Sequence, residues 1–501
     1  MVVGGSGLLT VSLLYSLTGG EIPFDYGVVF DAGSTHTQIT VYKWEGDKYQ
    51  GTGEVKQITS CKVEGGVASE TDPKEAGPSL MPCLSNVSQF IPTKKLAGTP
   101  LYVGATAGMR LLNLSNTLLA EAILLLTRCT LVQSDFSVKT VEIISGHDEG
   151  VFAWITANFF LRRFVTQPSY EEVSLEEDSY LSTTTVGTLD LGGASTQIAF
   201  ELSKGDSENR SVSALKLYGH NYRVFSKSYL CFGINEALRR FYFLLVKDPL
   251  KITTIDNPCG PKGHNQTYSG MYLFDQPCTW TERSAELVRL NPSILNENYT
   301  FVGQNNNTEC AITVSKLFDV KSCKNTFKEC LEAPEKPLPM AQFIAFSDFF
   351  YTLNFFNATN GTLEDFKQNI DRFCEKPWKE VKDLNSSYLE LYCFEGHFVH
   401  YILTTSYGFT STTWSNIIFK KQVGKMDLGW SLGYMTNTTN ALPAEKPTLP
   451  ILALPVFVTL LLLTFIILVI SGFFGFYFST INVSKILSLY VYYKMVFFLG
   501  C

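Results

Sequence analysis

The sequence predicts an α/β protein of two lobes, flanked by membrane-crossing helices. Three observations carry that reading. At 501 residues the chain can build two cores and still have segments to spare. A strand–turn–strand unit occurs twice, as "VVFDAGSTHTQI" at 28–39 and "TLDLGGASTQIAF" at 188–200. No residue from Pro447 to Ser484 is charged, a run long enough for a helix to cross a bilayer.

The elements follow in order. Residues 1–20 carry no charge and lack the basic flank of a signal peptide, so an N-terminal transmembrane helix is expected. Lobe I is assigned to 25–145, completed by about 415–440. It opens with strand Tyr26–Asp31, a glycine turn and strand Gln38–Trp44, with β-branched residues on both sides of the turn. "TPLYVGATAGMRLL" at 99–112 reads as strand, small-residue turn and helix start, and "NTLLAEAILLLTRC" continues with helical spacing. Lobe II is assigned to 146–414, after the strand "KTVEIIS". There "GHDEG" reads as a turn and "VFAWITANFFLRRF" as a helix. Residues 168–184 read as an acidic loop, and 205–340 as loop-rich and cysteine-rich. Helices are expected at 341–356 and 388–403. The motif "MDLGWSLGYMTN" at 426–437 precedes a stalk at 441–450, a transmembrane helix at 451–478 and an apolar tail at 479–501.

The net charge of −7 is mild, and no basic block points to nucleic acid. Ten N-x-S/T sequons lie between the apolar ends, starting at Asn86 and closing at Asn437. They argue for a solvent-facing domain of the secretory pathway. Eleven of twelve cysteines share that region, with no spacing that suggests zinc, so disulfides are expected. Eleven is odd, and Cys129, within the apolar "AILLLTRCTL", is expected to be a buried free thiol.

Aligning Asp31 with Asp190 also matches Gly33 with Gly192, Thr37 with Thr196 and Gln38 with Gln197. Glycine turns let backbone N–H groups approach an anion and form phosphate nests. An aspartate at the strand end suits a divalent cation. One such turn is an ordinary hairpin. Two aligned copies point to a pair of jaws on a phosphate chain, with a metal between Asp31 and Asp190.

Five motifs, "DAGSTHT", "GATAGMR", "GHDEGVFAWITAN", "LDLGGASTQ" and "GWSLGYM", occur in that order. They resemble the apyrase conserved regions of the ecto-nucleoside triphosphate diphosphohydrolases. The likeness covers about 25–440 and is nearest the cell-surface members with a membrane helix at each end. It implies two ribonuclease-H-like lobes of the actin/Hsp70/sugar-kinase type around a nucleotide cleft. The implied reaction is hydrolysis of nucleoside tri- and diphosphates to monophosphates by direct attack of water, with Ca²⁺ or Mg²⁺. Glu149 is the implied base, and Ser195 and Gln197 orient the water. Asp31, Asp190 and Trp430 match the metal site, acting through bound waters. Gly33, Ser34, Thr35 and His36 match the first phosphate loop, Thr106 and Ala107 the second motif. Gly192, Gly193 and Ala194 match the other phosphate loop.

Other residues keep alternatives. His36 contacts phosphate or bonds its own turn. Arg110 touches phosphate or forms a structural salt bridge beneath the loop. His147 and Asp148 read as loop residues, and His397 and His400 as packing. Tyr351, within the aromatic run "FSDFFYTLNFF", is the choice for stacking on the base. The resemblance orders ten cysteines into Cys61–Cys83, Cys231–Cys278, Cys259–Cys310, Cys323–Cys330 and Cys374–Cys393. The chain departs from the family at Ala153, usually glycine, and at "LEAPEKPLP" after Cys330. The expected partners are nucleotides and membrane lipid, with no nucleic acid, and a homo-oligomer can form through the membrane helices. The expected location is the plasma membrane, multi-pass, with the catalytic domain outside. The rivals are a non-catalytic nucleotide-binding surface glycoprotein, a luminal nucleoside diphosphatase and, more weakly, a kinase on the same fold.

Overall fold

The computed structural model describes residues 23–70, 72–164, 185–203, 211–334, 341–384, 386–424, 426–445 and 454–498. The N-terminal span expected over 1–20 and the acidic loop at 168–184 lie outside the described residues. The chain forms two compact units. The larger comprises Asp25–Trp44 and Lys48–Pro443.

The larger unit is mixed α/β, built on two main sheets. The first holds β1 (Phe24–Ala32), β2 (His36–Glu45), β3 (Lys56–Glu64), β4 (Pro100–Ala105) and β5 (Ser137–Ile143). Their order is β3-β2-β1-β4-β5, with β2 antiparallel to β3 and β4 parallel to both β1 and β5. The second sheet holds β6 (Gly187–Leu191), β7 (Ser195–Glu201), β8 (Val212–Leu217) and β9 (His220–Leu230). The region expected to be loop-rich supplies β8 and β9, and also a small sheet of β10 (Thr254–Asn257), β11 (Asn265–Ser269) and β12 (Asn298–Gly303). The second main sheet is completed by β13 (Phe343–Ser347) and β14 (Ile417–Phe419), in the order β14-β13-β6-β7-β9-β8. Apart from the extra edge strand β8, the two sheets repeat one plan. A hairpin leads to an antiparallel third strand, and two parallel strands follow on the other side.

Central parallel strands are buried on both faces, so they read as unbroken apolar runs rather than alternating ones. This explains two corrections. A helix was expected from 341, yet "FIAFS" is the strand β13, lying between β6 and β14. A run that short has no period to tell strand from helix. Also, 415–440 does not simply complete lobe I, because Ile417–Phe419 pairs with Phe343–Ala345 in the second sheet.

Each sheet has its own core. Helices α1 (Pro73–Ser88), α2 (Ala107–Ser115) and α3 (Thr117–Leu131) belong to the first lobe, and α1 and α3 cover Val28, Phe30, Leu101 and Val103. A third cluster, with Val29, Tyr42, Trp44, Ala153, Phe346, Trp430 and Met435, joins the lobes. Its centre is α4 (Gly146–Phe160), which is apolar nearly all round and buried, as such helices must be. "GHDEG" is therefore not a turn but the first turn of α4. Ser145 caps it by accepting from the Asp148 N–H at 3.0 Å. Further on come α5 (Ile234–Leu245), α6 (Asp348–Phe355), α7 (Tyr392–Tyr401) and α8 (Ser431–Thr439). Helix α8 crosses α4 so closely that a Cβ at Gly433 would lie 1.9 Å from the Phe152 carbonyl oxygen.

Five disulfides form, with the pairing the resemblance implied. Cys129 is free but exposed, contrary to expectation, because it lies on the outward face of α3.

In the smaller unit, α9 runs from Leu454 to Phe498 without a break. Pro455–Tyr492 is long and apolar enough to cross a membrane. The expected division at 478 is absent, and the tail continues the same helix to Phe498. Its 45 residues span about 67 Å, roughly twice a hydrocarbon core of about 30 Å.

Candidate active site

The two repeated turns are built alike. Each joins its strands through three residues, 33–35 and 192–194. In each, the first glycine N–H donates to the carbonyl three residues on, Gly33 to His36 and Gly192 to Ser195, both at 3.0 Å. Behind the second turn, the first N–H groups of α5 (Ile234, Asn235 and Glu236) donate to the carbonyls of Gly192 and Gly193. The two turns face each other at contact distance. A Cβ on Gly193 would lie 2.9 Å from Ser34 Oγ and 2.8 Å from Asn235 Nδ2, so a larger residue there would push those side chains aside.

Below them sits one hydrogen-bonded network. Arg110 Nη2 donates to Glu149 Oε2 at 2.7 Å and to Ser195 Oγ at 3.0 Å. Gln197 Nε2 donates to Ser195 Oγ at 2.7 Å, to Ser228 Oγ at 3.0 Å and to Glu149 Oε2 at 3.1 Å. Arg110 Nη1 is anchored on the Ile144 carbonyl at 3.1 Å. Arg110 comes from α2 in the first lobe, whereas Glu149, Ser195 and Gln197 come from elements packed on the second sheet.

Asp31 and Asp190 end the central strands β1 and β6. Burial first, then the charge of Glu149, pushes Asp31 up to about 7, while the adjacent Trp430 indole opposes the shift. The same causes push Asp190 up to about 8, with Ser347 opposing and Asp31 and Asp348 adding to it. Asp348 is itself raised to about 7 by burial. The cleft thus gathers carboxylates whose charged forms are disfavoured. Its guanidinium, Arg110, is committed to Glu149, and neither Asp31 nor Asp190 has a cationic partner among the described residues. A hard divalent cation fits that donor set and that charge deficit.

The profile of the GDA1/CD39 (nucleoside phosphatase) family matches residues 23–450. The chain belongs to this family. Ectonucleoside triphosphate diphosphohydrolase 8 of Rattus norvegicus is 38% identical over 456 residues, covering 89% of this chain and 90% of the relative. Ectonucleoside triphosphate diphosphohydrolase 2 of Gallus gallus is 37% identical, covering 88% of each. Ectonucleoside triphosphate diphosphohydrolase 3 of Mus musculus is 34% identical, covering 88% of this chain and 83% of the relative. A nucleoside triphosphate hydrolase structure from Neospora caninum covers 88% of this chain and 96% of its own, with a TM-score of 0.61 and 16% identity. That structure shows a shared fold. The chain is a phosphohydrolase of the GDA1/CD39 family.

Within this GDA1/CD39 cleft, several expected residues take defined places. Thr106 and Ala107 start α2, whose next residue, Gly108, packs on Ser34 of the first turn. His36 Nδ1 bonds Thr35 Oγ1 at 3.1 Å, within its own turn. Trp430 packs against β4 at Gly104. Tyr351 lies on α6 and is 46% exposed, with the Lys421 ammonium 5.7 Å from its ring centroid. His147 is structural, since its nitrogens pair with the Ser226 carbonyl at 2.9 Å and Ser213 Oγ at 2.7 Å. His397 bonds Asn307 Oδ1 at 2.7 Å and lies beside Cys310 and Cys393. Both sulfurs are in disulfides, so that trio offers no thiolate to a metal. Sequence reasoning missed Ser228 and Ser347. Ser347 holds φ at +56°, a left-handed conformation unusual for serine, next to Asp190.

Proposed function

We propose that the chain is an ecto-apyrase, hydrolysing nucleoside tri- and diphosphates to monophosphates in a divalent-cation-dependent reaction. The lobes are inferred to be ribonuclease-H-like, on the shared strand plan of the two sheets. The turns at 33–36 and 192–194 present N–H groups to the phosphate chain, and Thr106 and Ala107 border the water site. Asp31 and Asp190 would hold Ca²⁺ or Mg²⁺ through bound waters beside Trp430, and the cation would supply charge neutralisation to the phosphate oxygens.

The Glu149 carboxylate takes the proton of a water that Ser195 and Gln197 hold in line with the terminal phosphorus. The water oxygen forms the new bond to phosphorus as the bridging P–O bond breaks. Arg110 keeps the carboxylate and Ser195 aligned. Positioning of this kind is most of what phosphoryl transfer asks of a protein. Tyr351 offers the base an aromatic face. The single observation behind this reading is the shared network of Glu149, Ser195, Gln197 and Arg110 under the two facing turns.

The lobes are proposed to lie outside the plasma membrane, anchored by α9 and by the 1–20 segment. Support comes from the sequons, the five disulfides and the "ecto" names of the relatives. The test is phosphate release from ATP and from ADP by intact cells expressing the chain, with Ca²⁺ or Mg²⁺ and with EDTA. Release from both substrates that EDTA abolishes is expected. No cation-dependent release from either would overturn the proposal.

A further inference from the structure

Helix α3 carries a feature that the nucleotide site does not use. Its inner face, Ala120, Ile123, Thr127 and Leu131, is buried. Its outer face is also apolar. Leu118, Leu125 and the C-cap Val132 are 79%, 60% and 55% exposed, and they recur every seventh residue. Ala122 and the free, exposed Cys129 fall between them, again seven apart. Positions 118, 122, 125, 129 and 132 therefore alternate in steps of four and three, the seam spacing of paired helices. Such a stripe facing water marks a docking face.

The charges beside the seam say what covers it. Glu121 and Arg128 border the same edge, their midpoint half a residue from that of Leu118 and Val132. Glu121 has no ionic partner among the described residues, and Arg128 reaches only the Lys139 carbonyl, at 3.4 Å. An antiparallel second α3 about a two-fold axis at Leu125 would set Leu118 against Val132 and Leu125 against itself. It brings Glu121 of each copy within one residue, about 1.5 Å along the helix, of Arg128 of the other, and Ala122 equally near Cys129. A patch whose residue i meets residue j, while j meets i, is the signature of a two-fold interface.

We propose that α3 is a homodimer seam, binding the α3 of a second copy of this chain antiparallel about Leu125. The Asn113 sequon lies on α2, outside the stripe. The seam lies on the first lobe and is independent of any association through the membrane helices.

The test is position-specific crosslinking of the full chain in membranes. The variant Ala122→Cys is treated with copper–phenanthroline, which removes the two thiol protons and two electrons as the bond forms. Within one chain, 122 and 129 are two helical turns apart, about 10 Å, too far for a disulfide. Across the proposed axis they are offset by a single residue, about 1.5 Å along the helix. A reducible dimer is expected with Ala122→Cys and not with Ala122→Cys/Cys129→Ser. The unaltered chain is expected to stay monomeric on the gel, because its two Cys129 residues are displaced along the seam. Glu121→Arg placed in the Ala122→Cys chain is expected to cut the dimer band at least several-fold, and adding Arg128→Glu to restore it. Retained nucleotide hydrolysis shows that each variant is folded. In folded protein, no Ala122→Cys band, an equal band in the unaltered chain, or no rescue by the charge swap would overturn the seam.

Discussion

Glu149 and Arg110 approach to 2.7 Å, and the proposed chemistry turns on that contact. Glu149→Gln keeps the shape but removes the proposed base, and turnover should fall at least ~10²-fold. Arg110→Lys keeps the charge but loses the fork that holds Glu149 and Ser195 through Nη2 while Nη1 is anchored on the Ile144 carbonyl. It should lower kcat by about 10-fold or more with KM little changed, read from ATP saturation curves. Tyr351→Ala tests the aromatic face differently. KM for ATP should rise several-fold, while hydrolysis of inorganic tripolyphosphate, which has no base, should be unaffected. Asp31 and Asp190 predict a pH effect. Their folded pKa values, about 7 and about 8, lie above the unfolded carboxylate value. Their contribution to stability is therefore fully present below about pH 4 and is lost as pH rises through about 7 to 8. A bound divalent cation reverses that loss by pairing the ionised forms. The rise in Tm on adding Ca²⁺ or Mg²⁺ should grow steadily from about pH 5.5 to about pH 8.5. Scanning calorimetry with and without EDTA measures it, and a pH-independent increment would remove the two aspartates from the site.

At the scale of elements, the α4–α8 crossing positions Glu149 from behind. Gly433→Ala must push Phe152 backbone aside, which should cost about 1–3 kcal/mol in denaturant unfolding. The hairpins were legible because glycine turns between β-branched runs have a local signature. Strand β13 was not, because five buried apolar residues fit either a strand or a helix. The start of α4 was also misplaced. "GHDEG" has turn composition, and its helical state depends on the Ser145 cap and on tertiary burial. The length of α9 was missed for a related reason. The span was closed at 478, but the apolar stretch beyond it holds no glycine or proline through Phe498 to break the helix.

For the whole molecule, the duplicated strand–turn unit was visible in the chain, and so were the residues of both turns. Visibility stopped where partners come from distant parts of the chain. Arg110 read as either a phosphate contact or a buried salt bridge, since nothing local identifies a partner 39 residues away. Ser228, 31 residues beyond Gln197, had no signal at all. Cys129 was misjudged because an apolar helix face looks the same from sequence whether it turns inward or outward. The division of the network between lobes has a functional meaning of its own. Glu149, the proposed base, hangs from one half and its guanidinium clamp from the other. On the proposed reading, a movement that parted the halves would also loosen the carboxylate, so chemical competence and the fit of the halves would be one coordinate.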